Sequence, residues 1–241
     1  MAYYEGDFKN GLMHGNGMIV FSPADTLHRK HFEGTFVEGK RTGGGRMVYN
    51  SNDRFTGELD SQYVPHGVGK KEYSGGKSSY EGEWQNGKAH GSGTLVDGLN
   101  TYVGSFVMGN RDGPGQMTYA DGARYSGHWA DNVQSGEGTL QFANGDIYEG
   151  SFSDGVKAGQ GKLTYHNGDV LTGLFKEDDA HGPCVKTFVN GEVWTGDYDK
   201  GKRKIGKMAY LDGTTYEGQW KEGRPHGRGK LFFGESFSPF P

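Results

Sequence analysis

The chain has 241 residues, of which 45 are Gly and 7 Pro, with 32% hydrophobic and 13% aromatic residues. Gly stands far above its usual share of about 7% and apolar residues well below their usual share of about 45–50%, so a large aliphatic core is excluded, while so many rings exclude a disordered chain. A net charge of −4 excludes a basic whole-chain surface for nucleic acid.

Cys184 is the single cysteine. It excludes an intramolecular disulfide framework and points to a reducing compartment. The longest apolar run is Met18-Ile19-Val20-Phe21, far short of the roughly 18 residues of a membrane span. The start, Met1-Ala2-Tyr3-Tyr4-Glu5-Gly6, has no apolar signal-peptide region. A cytoplasmic protein is expected.

In chain order, one pattern recurs: aromatic-x-Gly-x-aromatic. It begins as Tyr4-Glu-Gly-Asp-Phe8 and Phe32-Glu-Gly-Thr-Phe36, and continues as Phe55-Thr-Gly-Glu-Leu59, which lacks the second ring. Tyr80-Glu-Gly-Glu-Trp84, Tyr102-Val-Gly-Ser-Phe106, Tyr125-Ser-Gly-His-Trp129 and Tyr148-Glu-Gly-Ser-Phe152 follow. Leu171-Thr-Gly-Leu-Phe175 lacks the first ring, and Trp194-Thr-Gly-Asp-Tyr198 and Tyr216-Glu-Gly-Gln-Trp220 complete the series. The starts at 4, 32, 55, 80, 102, 125, 148, 171, 194 and 216 are mostly 22 or 23 residues apart. About ten residues after each start comes His-Gly-x-Gly, as in His14–Gly17, His66–Gly69, His90–Gly93 and His226–Gly229. It varies elsewhere, as at His181-Gly-Pro-Cys184, and decays in the ninth repeat to Lys204-Ile-Gly-Lys207.

Turn signals alternate with these motifs. Asn86-Gly87, Asp154-Gly155 and Glu222-Gly223 fall inside repeats; Asp97-Gly98, Asp121-Gly122, Asn144-Gly145, Asn167-Gly168, Asn190-Gly191 and Asp212-Gly213 fall between them. Such pairs supply the positive φ of tight hairpins. Each repeat therefore reads as one β-hairpin. In a strand, alternate residues share a face, so Tyr80, Gly82 and Trp84 point one way and Glu81 and Glu83 the other. A ring is expected to lie over bare glycine on the neighbouring strand, which explains residues otherwise unfavourable in strands.

These units resemble the MORN (membrane occupation and recognition nexus) repeat, with its Tyr-x-Gly-x-Trp…Gly-x-x-His-Gly-x-Gly pattern, over nearly the whole chain. The predicted fold is all-β: an elongated, single, twisted antiparallel sheet of about ten consecutive hairpins over residues 3–233, followed by an aromatic tail over 234–241. The resemblance implies scaffolds at cytoskeletal and ciliary structures, partner-binding modules, or appendages to lipid kinases and a methyltransferase.

No catalytic constellation is legible. Gly75-Gly76-Lys77-Ser78 looks like the end of a phosphate-binding loop, but Lys71 stands where its first glycine belongs. There is no Gly-x-Ser-x-Gly elbow. His14, His66, His90, His181 and His226 recur two strands apart, at roughly 9–10 Å, too far to share a metal ion bound at about 2 Å. They read as turn caps or partners of nearby backbone. Cys184 stands where other repeats have glycine and reads as a small buried side chain. The chain is therefore expected to be a non-enzyme without metal or cofactor.

Three surfaces are candidates for partners. The aromatic face of the most regular repeats, Tyr102, Phe106, Tyr125, Trp129, Tyr148 and Phe152, would line a groove for a peptide or helix if partly exposed. Lys200, Lys202, Arg203, Lys204 and Lys207 form the densest basic run, suited to anionic phospholipid; His28-Arg29-Lys30-His31 is a shorter one. Phe232, Phe233, Phe237 and Phe240 mark a C-terminal edge that would fold back as a cap or join a second copy as a homodimer. The expected role is a non-enzymatic scaffold or adaptor binding proteins at a cytoskeletal, ciliary or axonemal assembly. The alternatives are a membrane-peripheral adaptor and a groove for a single partner segment.

Overall fold

The computed structural model of the chain describes residues 1–234. Two compact units divide at Ala120 and Asp121. Unit 1 comprises β1 (Tyr3–Lys9), β2 (Leu12–Val20), β3 (Arg29–Val37), β4 (Lys40–Tyr49), β5 (Arg54–Leu59), β6 (Pro65–Glu72), β7 (Ser78–Gln85), β8 (Lys88–Asp97), β9 (Asn100–Val107) and β10 (Asn110–Thr118). Unit 2 comprises β11 (Arg124–Ala130), β12 (Val133–Gln141), β13 (Ile147–Ser153), β14 (Val156–Thr164), β15 (Val170–Lys176), β16 (Asp179–Thr187), β17 (Val193–Asp199), β18 (Lys202–Ala209), β19 (Thr215–Lys221) and β20 (Arg224–Phe232). The fold is all-β: within each unit, every strand pairs antiparallel with its neighbours in sequence. Among the described residues no helix is long and apolar enough to cross a membrane. Phe237 and Phe240 lie outside the described residues.

The register is set by glycine. Within the hairpin Gly82 faces Gly93, and across the joint to the preceding repeat Gly69 faces Gly82. The same pairs recur in unit 2 as Gly150–Gly161 and Gly138–Gly150. A Cβ at Gly93 would overlap the ring of Tyr80, and one at Gly161 the ring of Tyr148. Each first ring thus lies on bare backbone. The phenolic hydroxyls donate to the carbonyl three residues on: Tyr80 to Glu83 at 2.9 Å and Tyr148 to Ser151 at 3.1 Å. Burial, with a nearby carboxylate, pushes both phenols up to about 12.

The two glycines of the second motif do different work. Gly93 makes room for a ring, whereas Gly91 holds φ at +60°, a conformation other residues adopt at a cost. It forms a bulge opposite Glu83, whose carboxylate accepts from the Ser92 N–H at 2.9 Å. In the ninth repeat that residue is missing. Tyr198 pairs with Arg203, three residues before Gly206, where Phe152 pairs with Lys157, four before Gly161.

First and second rings interlock edge to face. Tyr80 meets Trp84 of its own repeat at 5.0 Å and Phe106 of the next at 4.9 Å. In unit 2 Tyr125 meets Trp129 at 5.3 Å and Phe152 at 5.1 Å. Where Leu171 replaces a first ring, the vacated space over the cross-strand position is taken by the buried thiol of Cys184, paired with Gly173.

This contact predicts a coupled pair of substitutions. Gly161→Ala should cost about 1–3 kcal/mol by overpacking, measured by denaturant unfolding. In a Tyr148→Leu background the same change should cost much less, giving a double-mutant coupling above about 1 kcal/mol.

Candidate functional site

All six rings read as a partner-binding face are interior. Tyr102, Phe106, Tyr125, Trp129, Tyr148 and Phe152 are each no more than 5% exposed, because the first rings rest on glycine and the second rings pack against them. A partner meets what surrounds them.

Beside the second ring sits a residue that differs between repeats. It pairs with that ring across the hairpin. Opposite Trp84, Trp129 and Trp220 stand Ala89, Gln134 and Pro225, and opposite Phe175 stands Ala180. Opposite Phe36, Phe106, Phe152 and Tyr198 stand Arg41, Arg111, Lys157 and Arg203. In these four repeats a cationic stem lies beside the ring, with its head over aromatic faces. Arg203 lies 5.2 Å from the Trp220 ring and 5.8 Å from that of Trp194; Lys157 lies 5.7 Å from Tyr148.

A third aromatic row escaped the sequence reading. It occupies the position four residues after the second motif's last residue: Phe21, Tyr49, Tyr73 and Tyr119 in unit 1, and Phe142, Tyr165, Phe188, Tyr210 and Phe233 in unit 2. Its recurrence at the repeat period was the available signal. These rings stand at strand ends on the ring-bearing face and remain partly exposed. Cations reach them from the packed rows: Lys157 lies 5.4 Å from Phe142, and Arg203 lies 5.3 Å from Phe188.

In the two repeats that lack a ring, a lysine replaces the apolar partner of the first position. Lys71 lies between Tyr49 and Tyr73 and binds Asp53 at 3.2 Å. Lys186 lies between Tyr165 and Phe188 and binds Asp169 at 2.9 Å. Burial alone would raise the Asp169 carboxyl. The Lys186 ammonium and the Val189 N–H outweigh it and hold the carboxyl below its ordinary range. At Cys184 the balance is opposite, and burial pushes its thiol up. Of the motif histidines, His90 accepts the Met108 N–H at 3.5 Å. Among the described residues no three His, Cys, Asp or Glu side chains converge as metal ligands.

The basic run is divided by the period of two. Lys200, Lys202 and Lys204 border a cleft of about 790 Å³ together with Asp199 and Glu222. Lys204 is paired with Asp199 at 3.3 Å. Arg203 turns into the ring packing, and Lys207 faces Glu217 across the next joint. In the shorter cluster, Arg29 binds Asp25 at 2.6 Å and covers Phe21 at 4.1 Å. Phe232 and Phe233 are about half exposed.

Fold and surface together define a β-hairpin repeat protein whose rings hold the hairpins and whose strand ends face outward. The MORN-repeat family model matches residues 4–25, 32–54, 80–98, 102–124, 125–147, 148–170, 172–193 and 216–235, and the chain belongs to that family. The repeats outside these matches begin at 55, where Leu59 replaces a ring, and at 194, where the bulge glycine is missing. Alsin of Rattus norvegicus is 32% identical over 144 residues, covering 55% of this chain and 8% of alsin; alsin of Homo sapiens is 31% identical over the same span. The chain thus matches only a small part of those relatives. Among solved structures, the TCP10 domain of Danio rerio CPAP, in complex with a peptide of Danio rerio STIL, superposes with a TM-score of 0.53 over 96% of this chain and 98% of that one, at 13% identity. That likeness is one of fold.

Two outcomes follow. Arg203→Ala should lower stability by about 1–3 kcal/mol through lost packing, whereas Lys200→Ala and Lys202→Ala should stay within about 0.5 kcal/mol, by thermal unfolding. Asp169→Asn should cost about 1.5–3 kcal/mol at neutral pH. Because the folded carboxyl titrates lower than the unfolded one, its contribution is complete above the unfolded value of about 3.9 and fades below it. The gap between wild type and variant should therefore close as unfolding is measured from about pH 4 downward.

Proposed function

We propose that the chain is a non-enzymatic scaffold of a cytoskeletal assembly, ciliary, axonemal or centriolar, that holds extended segments of partner proteins across its strand ends. The third aromatic row carries this reading. Hairpin packing consumes the inner rings, while Phe142, Tyr165, Phe188 and Tyr210 stay partly exposed, one per repeat. Successive rings are two strands apart, about 9.5 Å. A polyproline-II segment advances about 9.3 Å in three residues, so it would meet each ring with every third side chain. The shared fold of the CPAP TCP10 domain, seen with a bound peptide, supports a peptide-holding role for such a sheet.

The test is detergent extraction of cells carrying a tagged copy. The chain should remain on an ordered, insoluble structure. Tyr165→Ser with Phe188→Ser and Tyr210→Ser should release most of it while the purified variant still unfolds cooperatively. Lys200→Glu with Lys202→Glu should leave retention unchanged. Complete release of the unaltered chain, with membrane staining beforehand, would overturn the scaffold reading in favour of attachment to lipid.

A further inference from the structure

Among the described residues β1 hydrogen-bonds to β2 alone and β20 to β19 alone. Every residue of β20 is exposed, as is every residue of β1 except Tyr4. The two edges carry opposite charge. β1 presents Glu5 and Asp7, with Lys9 at its last position, whereas β20 presents Arg224, Arg228 and Lys230. On each strand these residues are an even number of positions apart and so share a face.

The joints inside the units have a common register. The second glycine of one repeat faces the first glycine of the next, as Gly17–Gly34, Gly69–Gly82 and Gly206–Gly218. The residue after the former faces the residue before the latter. At one joint that pair is Lys70–Glu81, an ion pair of 3.4 Å, and at another it is Lys207–Glu217. The same register applied to β20 and the β1 of another molecule sets Gly229 against Gly6, Lys230 against Glu5 and Arg228 against Asp7.

The rings agree with the charges. At an internal joint the second ring of one repeat packs on the first ring of the repeat before it, as Phe175 does on Tyr148 at 5.0 Å. Phe8 holds that second-ring position in the first repeat and is 63% exposed, while Phe36, its counterpart one repeat on, is fully buried. At the other end, among the described residues Tyr216 meets the ring of its own repeat, Trp220, at 5.3 Å. Backbone groups match as well. Turn glycines donate to the preceding repeat, Gly39 to the Met13 carbonyl at 2.9 Å and Gly87 to that of Pro65 at 2.9 Å; Gly11 and Pro225 hold the corresponding positions.

We infer that the β1 edge of one copy docks on the β20 edge of a second copy, continuing the hairpin register from molecule to molecule. Self-pairing is opposed by charge. Antiparallel β20 on β20 about Gly229 sets Arg228 against Lys230, and β1 on β1 about Gly6 sets Glu5 against Asp7; like charges directly opposite are destabilising. The joint is therefore head-to-tail, and such an interface propagates unless its rotation closes a ring. A homodimer through the C-terminal edge is the arrangement the charges disfavour.

The full chain is examined by light scattering from micromolar to near-millimolar concentration. Its mass should grow beyond two copies as concentration rises and fall again at about 1 M salt, where screening acts within about 3 Å. Arg228→Glu with Lys230→Glu should be monomeric, as should Glu5→Lys with Asp7→Lys, and an equimolar mixture of the two variants should assemble again. Phe8→Ala should weaken association about tenfold or more, as loss of a buried aromatic anchor does. Chains bearing Glu5→Cys mixed with chains bearing Lys230→Cys should form disulfide-linked dimers under oxidation, and neither alone should. A mass fixed at one copy, a mass that stops at two, assembly indifferent to the charge variants, or crosslinking of Lys230→Cys chains to each other would each overturn the proposal.

Discussion

A ring resting on bare peptide is the contact on which each hairpin depends. Tyr80 over Gly93 and Tyr148 over Gly161 leave no space for a Cβ, and the phenolic hydroxyl closes the arrangement by donating to a carbonyl three residues away. Glycine is poor in strands when it packs nothing. Here it admits an aromatic side chain far larger than itself, so composition and fold are two sides of one constraint. The exception follows the same rule. Leu171 leaves the slot partly empty, and the thiol of Cys184 occupies it.

Because each first ring also touches the second ring of the following repeat, the contact passes from hairpin to hairpin within a unit. Stability is then local and nearest-neighbour, and a terminal repeat has one of its ring contacts unmade. The exposure of Phe8 has this origin. An end in a ring-stacked sheet carries unpaired backbone, an unmatched ring and unmatched charge together.

The cations show how packing recruits residues that composition files under surface charge. Arg41, Arg111, Lys157 and Arg203 fill the space beside Phe36, Phe106, Phe152 and Tyr198. Lys186 and Asp169 do the same work as an ion pair between two rings. What these contacts leave outward is the third ring row, the cleft beside Lys200 and Lys202, and the strand edges. Binding surfaces of this chain have to be sought there, since the repeated geometry of the hairpin is spent on the hairpin itself.

The sequence by itself determined the repeat, its period, the all-β class and the pairing of rings with glycine. Those follow from a side-chain alternation of two and from turns that only Gly, Asn or Asp accept readily, both of which are local. It also marked Cys184 as a glycine substitute, because the repeat frame exposes the exchange. The fate of individual side chains was decided only by the tertiary structure. Tyr102 and Trp129 were legible as aromatic, but their burial depends on how tightly neighbouring hairpins stack. Arg203 and Lys204 are adjacent in sequence, yet one enters the ring packing and the other pairs with Asp199, because the strand sends them to opposite faces and the missing bulge residue shifts the frame between them. The partner-facing third row was present in the letters at Phe142, Tyr165, Phe188 and Tyr210. Only the packed sheet distinguishes it from the rows beside it, since exposure is a property of what lies across the strand and not of the residue.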